Sequence, residues 1–200
     1  MGKSVYSIVL SDDVVREVDN KAYQLNTSRS ALVNKILAAQ LGCETPEQKM
    51  QDIFEYIGES LSGAFKIINQ ASSSMFSLAS PVRFKYRPVA KYLIELTGTG
   101  GRIRVEFRTS SAEFINYLNM FYEFFARLEN TYLRDIKIRF GGGKFIREFK
   151  TADGEKITEY IRMFDESIKT FFEHIDCPNE AMHMIENNYK QYILKENNLL

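Results

Sequence analysis

Two cysteines and two histidines in 200 residues leave little material for several kinds of chemistry. Cys43 and Cys177 stand alone and far apart, which excludes a disulfide framework and suits a reducing compartment. A cytoplasmic location is therefore expected. His174, Asp176, Cys177 and His183 share "HIDCPNEAMH", but an H-x2-C-x5-H spacing corresponds to no common metal site, and no second cluster completes a tetrahedral one. The segment reads instead as a junction between two helices, with Pro178 opening the second. "TGTGG" and "FGGGK" are glycine-rich, yet neither has the spacing of a phosphate-cradling loop before a helix, so both read as hairpin turns. No Ser-x-Gly elbow and no paired His–carboxylate motif is present. The expectation is a protein that is not an enzyme, with no catalytic residues, no metal and no cofactor. No run approaches eighteen consecutive apolar residues, so no membrane span is expected, and "MGKSVYSIVLSDD" carries too short an apolar run for a secretory signal.

What is present describes a chain that buries a core: 44% of residues are hydrophobic and 13% aromatic. The net charge of zero conceals a polarised distribution. Residues 1–43 carry +1, residues 44–80 carry −3, residues 81–150 carry +7 and residues 151–200 carry −5. A basic centre between acidic flanks fits either a polyanion site or the pairing of two layers.

The N-terminus is organised in a recognisable order. Val5–Leu10 alternates as a strand, with Tyr6, Ile8 and Leu10 on one face and Val5, Ser7 and Val9 on the other. Ser11 is a suitable N-cap, and Asp12 and Asp13 follow where the helix dipole favours acids. Val14, Val18, Ala22 and Leu25 recur at helical spacing up to Asn26, a residue tolerant of the left-handed conformation that ends helices. "TSRSALVNKILAAQLG" then restarts a helix, capped by Thr27 or Ser28 and ended by Gly42. One strand and two short helices bury too little to stand alone, and a lone strand has two unpaired edges. The economical solution is a homodimer with paired N-terminal strands over a shared core.

The strand ending in "VLSDDVV", the helix after it and "NTSRSALVNKIL" together resemble the ribbon-helix-helix DNA-binding module of the Arc, MetJ and CopG superfamily. The likeness covers about residues 3–42. It implies a two-stranded ribbon in the DNA major groove, with Lys3, Val5, Ser7 and Val9 facing base edges. It implies a phosphate clamp at Ser28, Arg29 and Ser30, where the second helix presents free amides. It implies a dimer core of Tyr6, Ile8, Leu10, Val14, Val18, Leu32 and Ile36. The chain departs from the family in one respect. Two of the three central outward residues are valine, which can touch thymine methyls but cannot form bidentate base pairs worth roughly 1–3 kcal/mol each. A metal-sensing role of the nickel-binding kind would need His and Cys ligands that this chain does not offer.

Residues 44–200 are expected to form an α+β domain, an antiparallel sheet with helices on one face, serving oligomerisation or an effector. Thr45–Gln48 is a capping box with Pro46 at the first helical position, opening a helix with the stripe Phe54, Ile57, Leu61, Phe65 and Ile68 up to a serine-rich break. Strands are expected in "VRFKYR", in "AKYLIEL" and "RIRVEFR" about a glycine turn, and in the hairpin "DIKIRFGGGKFIREFK". Ser110 with Glu113 should cap a long aromatic helix, and two further helices close the chain. Arg83, Lys85, Arg87, Lys91, Arg102, Arg104, Arg108, Lys137 and Arg139 then fall on the outward sheet face, a candidate second polyanion surface or a solvated face offset by Asp165, Glu166 and Glu173.

The expected function is that of a dimeric bacterial transcriptional regulator whose partners are double-stranded DNA and a second copy, with higher oligomers on DNA. The alternatives are an accessory DNA-binding protein of plasmid transfer or partition, and a dimeric scaffold that binds no nucleic acid. No effector is implied for residues 44–200.

Overall fold

A computed structural model describes residues 5–68, 74–98 and 100–195. The chain divides into two compact units, residues 1–49 and 50–200. Lys3 lies outside the described residues.

The first unit contains α1 (Asp12–Gln24) and α2 (Arg29–Leu41). Both helices end as their sequence suggests. Asn26 adopts φ +49°, and the Thr27 amide donates back to the Ala22 carbonyl at 2.9 Å. Gly42 adopts φ +66°, and the Cys43 amide donates to the Ala38 carbonyl at 2.8 Å. These are left-handed closures that satisfy carbonyls the helix leaves without partners. Val5–Leu10, expected as a strand, has no strand structure within the single chain. A strand exists through its ladder, and no described strand pairs with residues 5–10. The expected dimer core is correspondingly open. Leu32 is buried and Val18 half-buried, whereas Tyr6, Ile8, Leu10, Val14 and Ile36 are exposed.

The second unit is α+β. Helix α3 (Pro46–Leu61), whose first turn lies in the first unit, leads into a six-stranded, wholly antiparallel sheet. Its strands are β1 (Lys66–Ile67), β2 (Met75–Pro81), β3 (Val89–Thr97), β4 (Gly100–Phe107), β5 (Ile138–Gly141) and β6 (Lys144–Phe149), in the order β1-β2-β3-β4-β6-β5. Helix α4 (Ala112–Tyr132) links β4 to the β5–β6 hairpin, and α5 (Gly154–Glu173) and α6 (Pro178–Leu194) complete the chain. Phe54, Ile57 and Leu61 of α3 join the main core, which makes α3 a core helix. The inward sheet residues Ile103, Val105 and Phe107 meet the α4 stripe Phe114, Leu118, Phe121 and Phe125 and the α5 stripe Ile157, Ile161, Phe164 and Ile168. Gly142 and Gly143, at φ +56° and +75°, make the tight turn between β5 and β6 that glycine accommodates without steric cost.

Four details correct the sequence reading. Residues 82–87 form a turn, closed by the Val82 amide on the Pro88 carbonyl at 2.9 Å, and the strand is Met75–Pro81, within the expected serine-rich break. Phe76 and Leu78 point inward there, and Ser80 is tolerated in the core because its hydroxyl donates to Asp165 at 3.0 Å. Helix α3 ends at Leu61, so Phe65 enters the core from a turn and Ile68 follows β1. The cap of α4 is Ser111, accepting from the Phe114 amide at 3.3 Å, and not Ser110. Asp165, expected to offset the outward bases, is buried and accepts from the Tyr92 hydroxyl at 2.8 Å, with Lys169 at 2.6 Å.

A second buried polar group crosses the same core. Arg147 alternates inward between Phe145 and Phe149, and its Nε lies 3.0 and 3.2 Å from the two carboxylate oxygens of Glu129 on α4. Both residues are essentially solvent-free. The guanidinium lies 4.6 Å from the centre of the Tyr160 ring. Burial raises the Glu129 carboxyl to about 7, an effect that the adjacent Arg147 opposes without cancelling.

Candidate nucleic-acid interface

The α1–α2 corner places the sequence-predicted clamp at the start of α2. Ser28 has extended backbone geometry, and its Oγ accepts from the Ala31 amide at 3.2 Å, so the hydroxyl is occupied as the helix cap. The amides of Arg29 and Ser30 have no acceptor within the helix by its geometry, and remain the groups suited to an anion. The Arg29 side chain reaches back to α1. Its Nε donates to Asp19 Oδ1 and its Nη2 to Asp19 Oδ2, each at 2.5 Å. This two-pronged bond, first through hydrogen bonding and then through charge, raises the Arg29 pKa. The same hydrogen bonding holds the Asp19 carboxyl below its ordinary range. The sequence reading missed this partner, although a basic residue at the start of one helix after an acid late in the previous one is the signal. Val5, Ser7 and Val9 are all exposed.

The nine bases expected on the outward sheet face separate into three groups. Arg102, Arg104, Lys137 and Arg139 belong to a ladder of alternating charge. Arg102 bonds Glu95 at 2.6 Å, Arg104 lies 3.6 Å from Glu106, and Glu148 faces Arg139 at 3.1 Å and Lys137 at 3.7 Å. The sheet register brings Glu95, Arg102 and Glu148 into one cross-strand row, which is why the charges compensate. Arg83 and Lys85 occupy the β2–β3 turn and face Glu173 at 3.5 Å and Glu113 at 2.8 Å. Arg87, Lys91 and Arg108 have no ion-pair partner among the described residues. At the opposite end of the sheet, Glu95, Arg102, Asp135, Lys137, Glu148 and Lys150 line an open depression of about 590 Å³ with both signs of charge.

Among the described residues, no group of three or more His, Cys, Asp or Glu side chains is placed to hold a metal ion. His174 ends α5 with Nδ1 3.0 Å from the Thr170 carbonyl, and Pro178 opens α6, the expected helix junction. No described helix is long and apolar enough to cross a membrane. No family model, no curated protein and no solved structure matches the chain.

Proposed function

We propose that the chain is a dimeric ribbon-helix-helix DNA-binding regulator, whose residues 5–10 pair with the same segment of a second copy and enter the major groove. The observation that carries this reading is the open core of the first unit. Ala22 and Leu32 are the buried hydrophobic residues of α1 and α2, while Tyr6, Ile8, Leu10, Val14, Ile36, Leu37 and Leu41 are exposed. Full burial of one such side chain contributes about 1.5–3 kcal/mol, so a second copy covering several of them would supply the core that one copy lacks. The two well-terminated helices and the left-handed Asn26 turn provide a rigid corner for that pairing. Phosphate contact falls to the first amides of α2, because Ser28 Oγ and the Arg29 guanidinium already have partners. Groove contact falls to Val5, Ser7 and Val9, with Lys3 upstream, a set that predicts modest base discrimination.

The test is a genomic binding-site selection with the full-length chain, followed by titration of an enriched duplex at several salt concentrations. Enrichment of an inverted or tandem half-site, with affinity falling steeply as salt rises, is expected. Ser7→Ala should relax the preferred sequence, and Arg29→Ala should weaken binding to all duplexes by loosening the corner. A wild-type chain that enriches no sequence and ignores salt would refute the proposal in favour of a dimeric scaffold.

A further inference from the structure

The loops at one end of the sheet concentrate positive charge. The register places the ends of β2 and β4 and the starts of β3 and β6 together, through Pro81 beside Val89, Ala90 beside Phe107 and Glu106 beside Lys144. Arg83, Lys85, Arg87, Lys91, Arg108 and Lys144 therefore share that end. Three acids there already have partners: Glu173 with Arg83, Glu113 with Lys85, and Glu106 with Arg104. Arg87, Arg108 and Lys144 are exposed and have no ion-pair partner among the described residues.

The end is also shaped. The Tyr86 hydroxyl and Thr109 Oγ1 lie 2.8 Å apart, which ties the β2–β3 turn, with Arg87, to the β4–α4 loop, with Arg108. Tyr86 remains half-exposed while its ring packs against Phe84 and Phe114. Arg87 itself sits at φ +49°, a conformation that favours glycine or asparagine, yet a long cation occupies it. Its amide is fixed on the Phe84 carbonyl at 2.9 Å, so the turn holds the guanidinium outward against a local backbone preference.

We infer that this end of the sheet, centred on Arg87, Arg108 and Lys144, is a second contact of the chain with the phosphate backbone of duplex DNA. The inference rests on the DNA-binding reading above. Arginine forks suit phosphate oxygens, and a half-exposed tyrosine at the centre adds a hydrogen-bonding rim without the apolar protrusion that insertion into a lipid surface uses. Such contacts carry no base preference and add affinity that depends strongly on salt.

The experiment titrates a selected duplex with the full-length wild type and with Arg87→Gly/Arg108→Ala/Lys144→Ala across a salt series. Glycine at position 87 removes the charge and suits the backbone, and far-UV circular dichroism checks that the fold is kept. The slope of log affinity against log salt should lessen by about 0.9 for each phosphate contact removed, while the selected sequence stays the same. Arg108→Lys should retain the wild-type slope, and Arg127→Ala, which removes a cation from the surface of α4, should leave it unchanged. An unchanged slope in the triple variant, with wild-type binding intact, overturns this inference and leaves the N-terminal reading standing. A slope that falls for Arg102→Ala/Arg139→Ala but not for the loop variant also overturns it, by returning the contact to the sheet face. Loop-dependent sedimentation with phosphatidylserine vesicles, alongside an unchanged duplex titration, overturns it in favour of a membrane contact. A wild type that binds no duplex at all removes the N-terminal reading and this inference with it.

Discussion

Replacing Arg147 with methionine removes the guanidinium from a carboxylate that water does not reach, and the cost should depend on pH in a defined way. In the wild type, burial raises Glu129 from an ordinary value of 4.5 to about 7. A carboxyl raised on folding keeps its proton where the unfolded chain has released it. Its stabilising contribution is therefore complete below 4.5 and declines as pH rises toward 7, by up to about 1.4 kcal/mol per pH unit and on the order of 3 kcal/mol in all. Arg147 opposes the rise, so Arg147→Met drives the Glu129 value above 7 and extends the decline. At pH 6 both folded proteins hold the Glu129 proton, and the variant should lose chiefly packing and hydrogen bonding. Above pH 7 the difference from wild type should widen as pH rises, toward the roughly 3–5 kcal/mol typical of a broken buried pair. The buried tyrosines around the pair, Tyr160, Tyr189 and Tyr192, have pKa values raised by burial and do not titrate in this window. The chain lacks tryptophan, so urea unfolding followed by far-UV circular dichroism at fixed protein concentration is the suitable assay. Adding Glu129→Gln to the variant should abolish the extra pH dependence. An Arg147→Met penalty equal at pH 6 and pH 9 would refute the reasoning.

At the other buried carboxylate, Tyr92→Phe removes the hydroxyl that donates to Asp165, and should cost about 1–2 kcal/mol in the same unfolding assay. Ile36→Asp or Leu10→Asp should abolish dimerisation in sedimentation velocity while leaving the circular dichroism of the sheet domain intact; a variant still dimeric would argue against a shared N-terminal core. The Asp19 carboxyl is held low by Arg29, so the α1–α2 lock is present above the ordinary carboxylate range and is lost as pH falls through the lowered value. Amide protection within α2, corrected for the intrinsic rate, should therefore fall in acid for the wild type, and the fall should be absent in Arg29→Ala. Gly142→Val forces a β-branched residue into φ +56° and should destabilise the β5–β6 hairpin by about 1–2 kcal/mol, read by urea unfolding.

The elements most legible from residue order were those governed by local backbone chemistry. Ser28, Asn26, Gly42 and Thr45 mark helix ends where the structure has them, because capping and left-handed closure involve residues at most five apart. The β3–β4 and β5–β6 hairpins follow from alternation interrupted by glycine. The candidate clamp was legible as a position, but its chemistry was not. The sequence offers Thr27 or Ser28 as the cap and the structure uses Ser28, while the engagement of Arg29 by Asp19 depends on the angle at which α2 returns against α1.

Misassignment occurred where a residue's role depends on partners far along the chain. Residues 75–81 carry three serines or prolines in seven, so their composition suggests a break, and they become a strand because β3 pairs with them and Asp165 satisfies Ser80 across 85 residues. Arg147, which the sequence reading left without a role, shares the inward face with Phe145 and Phe149, and only the tertiary fold brings Glu129 to it. The outward bases are abundant in sequence, but register decides that Glu95, Glu106 and Glu148 lie beside four of them. The chain alone thus determined the ends of α1 and α2, the start of α3, which strands form the β3–β4 and β5–β6 hairpins, and that residues 44–200 would be α+β, since those features depend on short-range sterics and apolar periodicity. Tertiary structure decided which charges are buried and which meet a distant partner, because electrostatic pairing depends on distance in space: Glu129 and Arg147, 18 positions apart, and Arg83 and Glu173, 90 apart, reach that distance only when the sheet and helices close around them.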